Sequence, residues 1–287
     1  MFMKAVALLL LCSCSNEPEL TEASDRQVPM QASASVVTET KALVDWVTLP
    51  AGSRLGIKLV DNKGLSYDQQ IYDNVPFATN DGISWTAEVD QAILLSATLG
   101  QAYAYYPYVA DVDMQAIPIS SAGDPADQVD YMYSAAPALV NNGQPMATFP
   151  MNHALSIVRF QIERGTYVGD GLVSSVTLQG QTASHTGWLN VFTGTVTATG
   201  AGHLFSYPNA LRLGQSAYGQ FCMVPAGTES ALRFELVDGQ TYQVSTGPLT
   251  LQSGKVYNYS LTIDSPGITI SPLYMTPWED EIHWVEV

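Results

Sequence analysis

Phe149-Pro-Met-Asn-His-Ala-Leu-Ser-Ile-Val-Arg-Phe-Gln-Ile162, near the middle of the chain, decides how the rest is read. Val158, Phe160 and Ile162 recur at period two, with Arg159 and Gln161 between them. One face is apolar and the other polar, which predicts a half-buried strand. The residues before this stretch are rich in loops and aromatics. Those after it form a cleaner run of short strands and turns, so the stretch is expected to open a second domain.

Downstream, Val173–Leu178, Gly187–Phe192, Gly194–Thr199, Gly219–Val224, Leu232–Val237 and Gln240–Ser245 are short β-like runs separated by Gly or Asn. Turns about every 8–12 residues predict a β-sandwich. Asp238-Gly239 is a hairpin signal. After Gly254, Tyr257, Tyr259, Leu261 and Ile263 alternate with Asn258 and Ser260, another strand. Upstream, Leu49–Val60 reads as a turn and strand, and Asn80-Asp-Gly82 as a hairpin turn. Ser33–Val37, within Val28–Val37, is a weaker strand. No long helix is predicted.

The chain of 287 residues suits two domains, here 42–147 and 148–287. It is 46% hydrophobic and only 13% charged, with a net charge of −16 and 11 Lys and Arg. So acidic a surface repels phosphate backbones and anionic membranes, and no nucleic-acid partner is expected.

Residues 1–14 read as an export signal: Lys4, a short apolar core at Ala5–Leu11, then Leu11-Cys-Ser-Cys14. Leu-x-Ser-Cys resembles a bacterial lipobox, which makes Cys14 the lipidated residue; Cys12 fits worse, because Leu10 would occupy the small-residue position. Such a chain is anchored to the outer membrane rather than spanning it. Residues 15–41 are expected to comprise an acidic tether followed by the weak first strand. Cys222, alone after residue 14, reads as a buried inert thiol in an apolar strand.

No motif for catalysis emerges. Asp111-Val-Asp113 reads as a solvated loop, and the four His are far apart, with no zinc pair. No metal or cofactor is expected, and no enzymatic activity. Tyr103–Tyr108 could stack on sugars, but packing is the plainer role.

Four segments together resemble the fimbrillin family, the pilins of type V pili of Gram-negative anaerobes. They are Phe149-x-x-x-His-Ala-Leu-x-x-Val-x-Phe160; Leu49-Pro-x-Gly-Ser-x-Leu-Gly-Ile57; Asn74-Val-Pro-Phe77 with Trp85 and Tyr105-Tyr-Pro-Tyr108; and Gly254-Lys-x-Tyr-x-Tyr-x-Leu261. The resemblance implies two tandem transthyretin-like β-sandwich domains. It also implies a lipoprotein cut after a basic residue by a trypsin-like protease, which removes the first strand. A strand from a neighbouring subunit then fills the groove, giving a head-to-tail surface fimbrium that supports adhesion. The basic residue matching the family position is Lys41, where the family usually carries Arg; Arg26 is the second choice. The implied donor lies in Ile268–Val287, with Ile268, Ile270, Leu273, Trp278, Ile282 and Trp284 as its apolar contacts. That tail could instead complete its own sheet. His153 is expected to be structural, bonded to backbone at the domain junction. The alternative is a non-polymerising surface lipoprotein of the same fold, acting as pilus anchor or glycan-binding module.

Overall fold

The computed structural model describes residues 26–36, 49–121, 127–180, 184–199, 203–213, 217–225, 228–265, 267–271 and 274–278. These residues are all-β, as expected, with no α-helix among them. Up to His153 the strands are β1 (Val28–Pro29), β2 (Gln31–Val36), β3 (Arg54–Asp61), β4 (Tyr72–Thr79) and β5 (Ser84–Ala87), followed by β6 (Leu94–Leu95), β7 (Gly100–Tyr106), β8 (Ile117–Ser120), β9 (Met132–Ser134), β10 (Ala138–Val140) and β11 (Met146–His153). Then come β12 (Ser156–Arg164), β13 (Leu172–Gln179), β14 (Thr186–Asn190), β15 (Thr195–Ala198), β16 (His203–Arg212) and β17 (Ala217–Met223). The last are β18 (Thr228–Leu236), β19 (Thr241–Thr250), β20 (Lys255–Ile263), β21 (Ile268–Ile270) and β22 (Tyr274–Pro277).

The opening stretch is thus two strands rather than one. β11 belongs to the N-terminal sheet and β12 to a C-terminal one, with a bend at Ala154-Leu155 between them. Both bend residues are fully buried, in a core that both halves share. Alternation could not reveal the bend, because successive residues from His153 to Val158 are all buried.

The N-terminal sheet has eight strands in the order β10-β7-β3-β4-β5-β2-β11-β9. β9 also pairs with β7, so the sheet closes on itself around Leu55, Ile57, Phe77, Trp85 and Phe149. The β4–β5 turn forms where Asn80-Asp-Gly82 predicts it: Gly82 has φ +75°, and Asp81 Oδ1 accepts the N–H groups of Ile83 (2.8 Å) and Ser84 (2.7 Å).

After the bend, two sheets stack as a sandwich. One holds β17-β12-β20, with β21 and β22 both on the far side of β20; the other is β16-β13-β18-β19. Val158, Phe160 and Ile162 face Val176, Leu232 and Phe234 across the core. The rings of Phe160 and Phe234 meet edge to face at 5.7 Å. β16 was not predicted, because Pro208 interrupts it; as the edge of its sheet, it tolerates a missing N–H.

The halves are interlocked as well as consecutive. β8, from the first, pairs with β14 of the second, giving a three-stranded sheet β15-β14-β8. Ile117 and Ile119 enter the shared core with Leu189, Val196, Val256 and Trp278.

Candidate functional site

β2 is the strand on which a removable-strand reading depends. Its sequence, Gln-Ala-Ser-Ala-Ser-Val, alternates strictly: Ala32, Ala34 and Val36 point inward, Gln31, Ser33 and Ser35 outward. Met30, just before it, is also buried. β2 pairs in parallel with β11 through six residue pairs, Gln31↔Met146 to Val36↔Met151. Its other edge meets β5 at only Ala32↔Trp85 and Ser33↔Ser84. It closes the ring between β5 and β11, and its loss would leave both edges unpaired over an apolar core.

The strand is small where its neighbours are large. Ala32 sits opposite Trp85, and Ala34 beside Phe149; both aromatics are almost fully buried. β1 adds a weaker hold, pairing Val28↔Leu95 and Pro29↔Leu94 with β6.

Of the two candidate cleavage residues, Arg26 lies two residues before the start of β1; it is exposed, and its carbonyl accepts from Asn142 Nδ2 (3.2 Å). Cutting after Arg26 leaves β1 and β2 attached to the body. Lys41 follows β2 and is the only Lys or Arg between Arg26 and Arg54. Lys41, Cys14, Leu273, Ile282 and Trp284 lie outside the described residues.

The described part of the tail is seated in its own sheet. Ile268 and Ile270 belong to β21, which pairs with the end of β20 (Ile263↔Ile268, Leu261↔Ile270). β22 takes the start of the same edge, from Lys255↔Pro277 to Asn258↔Tyr274. Trp278 then turns into the shared core, 2% exposed, its backbone N–H donating to Gly254 O (2.9 Å). Its ring lies flat on His153, with centroids 4.1 Å apart and planes at 4°. His153 Nδ1 is 2.9 Å from Asp130 Oδ2. His153 therefore stands at the junction as expected, but this contact is with a carboxylate rather than backbone. Sequence could not pair three residues so far apart.

The other candidates are absorbed by packing. Tyr105 is fully buried, its hydroxyl within hydrogen-bond distance of two acceptors, Asn74 Oδ1 (2.8 Å) and Val109 O (3.0 Å), and burial raises its pKa to about 12. Tyr103 stands edge-on to Phe192 at 4.9 Å, and Arg54 lies over the Tyr108 ring at 4.5 Å. Asp113 Oδ1 accepts the Gln115 N–H (2.8 Å), the cap of a turn. Cys222 is buried, and desolvation, with a smaller contribution from Asp130, pushes its thiol pKa well up. Among the described residues, no group of three or more His, Cys, Asp or Glu could hold a metal ion.

The described residues form a wrapped sheet, which β2 helps to close, and a β-sandwich. A family described as fimbrillin-like matches residues 40–278, and the chain belongs to it. Membership makes it a structural, pilus-related protein rather than an enzyme and implies a place in a cell-surface fimbrium. A search of curated proteins found no match. Among solved structures, a candidate cell adhesion protein from Bacteroides uniformis is 22% identical, with 88% of this chain and 99% of that one covered and a TM-score of 0.66. Another from Bacteroides ovatus is 17% identical, covering 89% and 99%, with a TM-score of 0.70. The tip fimbrial protein Mfa3 from Porphyromonas gingivalis, with a C-terminal truncation, is 10% identical, covering 88% and 100%, with a TM-score of 0.50. At these identities the likeness is one of fold.

Proposed function

We propose that the chain is a pilus subunit exported as an outer-membrane lipoprotein, acylated at Cys14 and cut after Lys41 by a trypsin-like protease. It then joins neighbouring subunits by donor-strand exchange. One observation carries this reading: a ring-closing, inward-packed strand, β2, is followed by a connection to β3 whose single basic residue is Lys41. A cut there severs β1 and β2 from the body. What remains is a groove with two unpaired edges, which an extended peptide fills by hydrogen bonding as β2 does. Because groove and donor are different surfaces, each junction is head-to-tail and the assembly is an open filament. The donor is the part of the tail after Trp278, including Ile282 and Trp284. Donating Ile268, Ile270 or Trp278 would dismantle the edge of β20 and the shared core.

The seating of β21, β22 and Trp278 in their own sheet favours a second reading, an anchored lipoprotein that does not polymerise. The mass of the N-terminal peptide in material sheared from cells separates the two. A start at Ala42, with Lys41→Gln abolishing both that start and the fibres, supports the pilus subunit. Acylated Cys14 on all of the material refutes it and leaves the anchor.

A further inference from the structure

We infer that the slot under β2 selects its occupant for small side chains at two successive inward positions, and that the strand filling it after cleavage comes from a different kind of subunit, not a second copy of this chain. This rests on the proposed opening of the groove by cleavage. The slot's shape is read from the strand that now fills it. Inward side chains run Met30, Ala32, Ala34, Val36: larger ones at the ends and methyl groups in the middle. The middle is narrow because Trp85, opposite Ala32, and Phe149, beside Ala34, lie in the same buried cluster. Interiors are close-packed, so an added branched or aromatic side chain in either central position must displace one of these rings.

This chain's own tail does not meet that requirement. Residues 272–287 read Pro-Leu-Tyr-Met-Thr-Pro-Trp-Glu-Asp-Glu-Ile-His-Trp-Val-Glu-Val and contain no Ala, Gly or Ser. In one parity of the final stretch the inward side chains would be Ile282, Trp284 and Glu286; in the other, His283, Val285 and Val287. Neither offers two consecutive small residues, in either direction or any register. Specificity of this kind comes from what a site rejects as much as from what it holds. The fitting partner is an extended segment of the form large-x-small-x-small-x-large, supplied by a subunit of different sequence. The chain thereby belongs at a junction between unlike subunits rather than in a self-polymerising stalk.

The test uses the full chain cleaved after Lys41, with cleavage confirmed by mass, and three synthetic peptides read by fluorescence anisotropy and competition. The expected result is that a labelled peptide of residues 28–36 binds. The same peptide carrying Ala34→Leu should bind at least tenfold more weakly, a difference of about 1.4 kcal/mol. An unlabelled peptide of residues 279–287 should fail to displace the first. In protein carrying Phe149→Leu the deficit of the Leu-bearing peptide should shrink. Displacement by 279–287 as effective as by 28–36 overturns the inference and leaves the pilus reading standing. Equal binding of the Leu-bearing peptide, or an unchanged deficit in Phe149→Leu protein, overturns the slot argument. If 28–36 itself does not bind, the groove of the proposed function fails, and the inference falls with it.

Discussion

Trp278→Ala tests whether the start of the tail is a structural part of the body. The ring is 2% exposed, stacked on His153, and belongs to the core shared by both halves. Truncating a buried Trp to Ala costs about 3–5 kcal/mol, from lost burial plus the cavity left behind. For two-state unfolding of a chain this size, about 2–4 °C is lost per kcal/mol, a fall in Tm of roughly 6–20 °C. Trp278→Phe should do far less harm. It keeps most of the stacking surface and removes the indole N–H, which has no hydrogen-bond partner in the described protein. It is still a large-to-small change, so its cost should be smaller than that of Trp278→Ala but not negligible, because the smaller ring leaves part of the cavity. Urea denaturation followed by circular dichroism gives both values, and hydrogen exchange at Thr276 and Tyr274 reports whether β22 stays on β20. A Trp278→Ala protein within 1 kcal/mol of wild type, with those amides still protected, would refute the view that Trp278 fastens the tail.

Gly56→Ala should destabilise by about 1–3 kcal/mol, because an added Cβ would meet the ring of fully buried Tyr105 and Asn74 Oδ1 (2.5 Å); thermal denaturation measures it. The Asp81 carboxylate accepts N–H groups from Ser84 and Ile83, which hold its pKa down at about 2 against an ordinary 3.8. A depressed carboxylate stabilises the fold above its unfolded pKa. The contribution is therefore complete above about pH 4 and lost as pH falls through about 2; NMR titration of Asp81 should show this, and Asp81→Ala should remove that part of the acid dependence. Cys222, buried and with its thiol pKa raised, should resist iodoacetamide in native protein at pH 8 and react on denaturation; rapid native labelling would contradict its burial.

What was legible in the sequence was chemistry local to a few residues. Asn80-Asp-Gly82 and Asp238-Gly239 announce their turns because Gly supplies positive φ, +75° at Gly82 and +84° at Gly239. The alternation of Tyr257, Tyr259, Leu261 and Ile263 marks a strand, and β20 forms there; Val256 and Asn258, on its other face, are buried as well. Partner choice was not legible. Nothing in Gln31–Val36 says that it pairs in parallel with residues more than a hundred positions away, nor that β8 leaves its own half to pair with β14. The candidate site inherits that limit. The strand and the basic residue after it could be read; the small slot between Trp85 and Phe149, and the stack of Trp278 on His153, exist only once distant strands are brought together.

The uneven hold on β2 bears on how a replacement could enter. Six residue pairs tie β2 to β11, but only two tie it to β5. β11 is fixed on its other edge by β9 and runs through the Ala154-Leu155 bend into β12, in the sandwich core. β5 is four residues long and pairs with β4 through Phe77↔Ala87, Ala78↔Thr86 and Thr79↔Trp85. On the proposed reading, the ring therefore opens along the β2–β5 seam, where fewer ladder hydrogen bonds resist, while β11 keeps its place as a template. An incoming strand regains most of the lost hydrogen bonds by running parallel to β11, and only then brings its central side chains against Trp85 and Phe149. Backbone pairing thus supplies affinity that any extended segment can claim, while the two narrow positions decide which segment is kept.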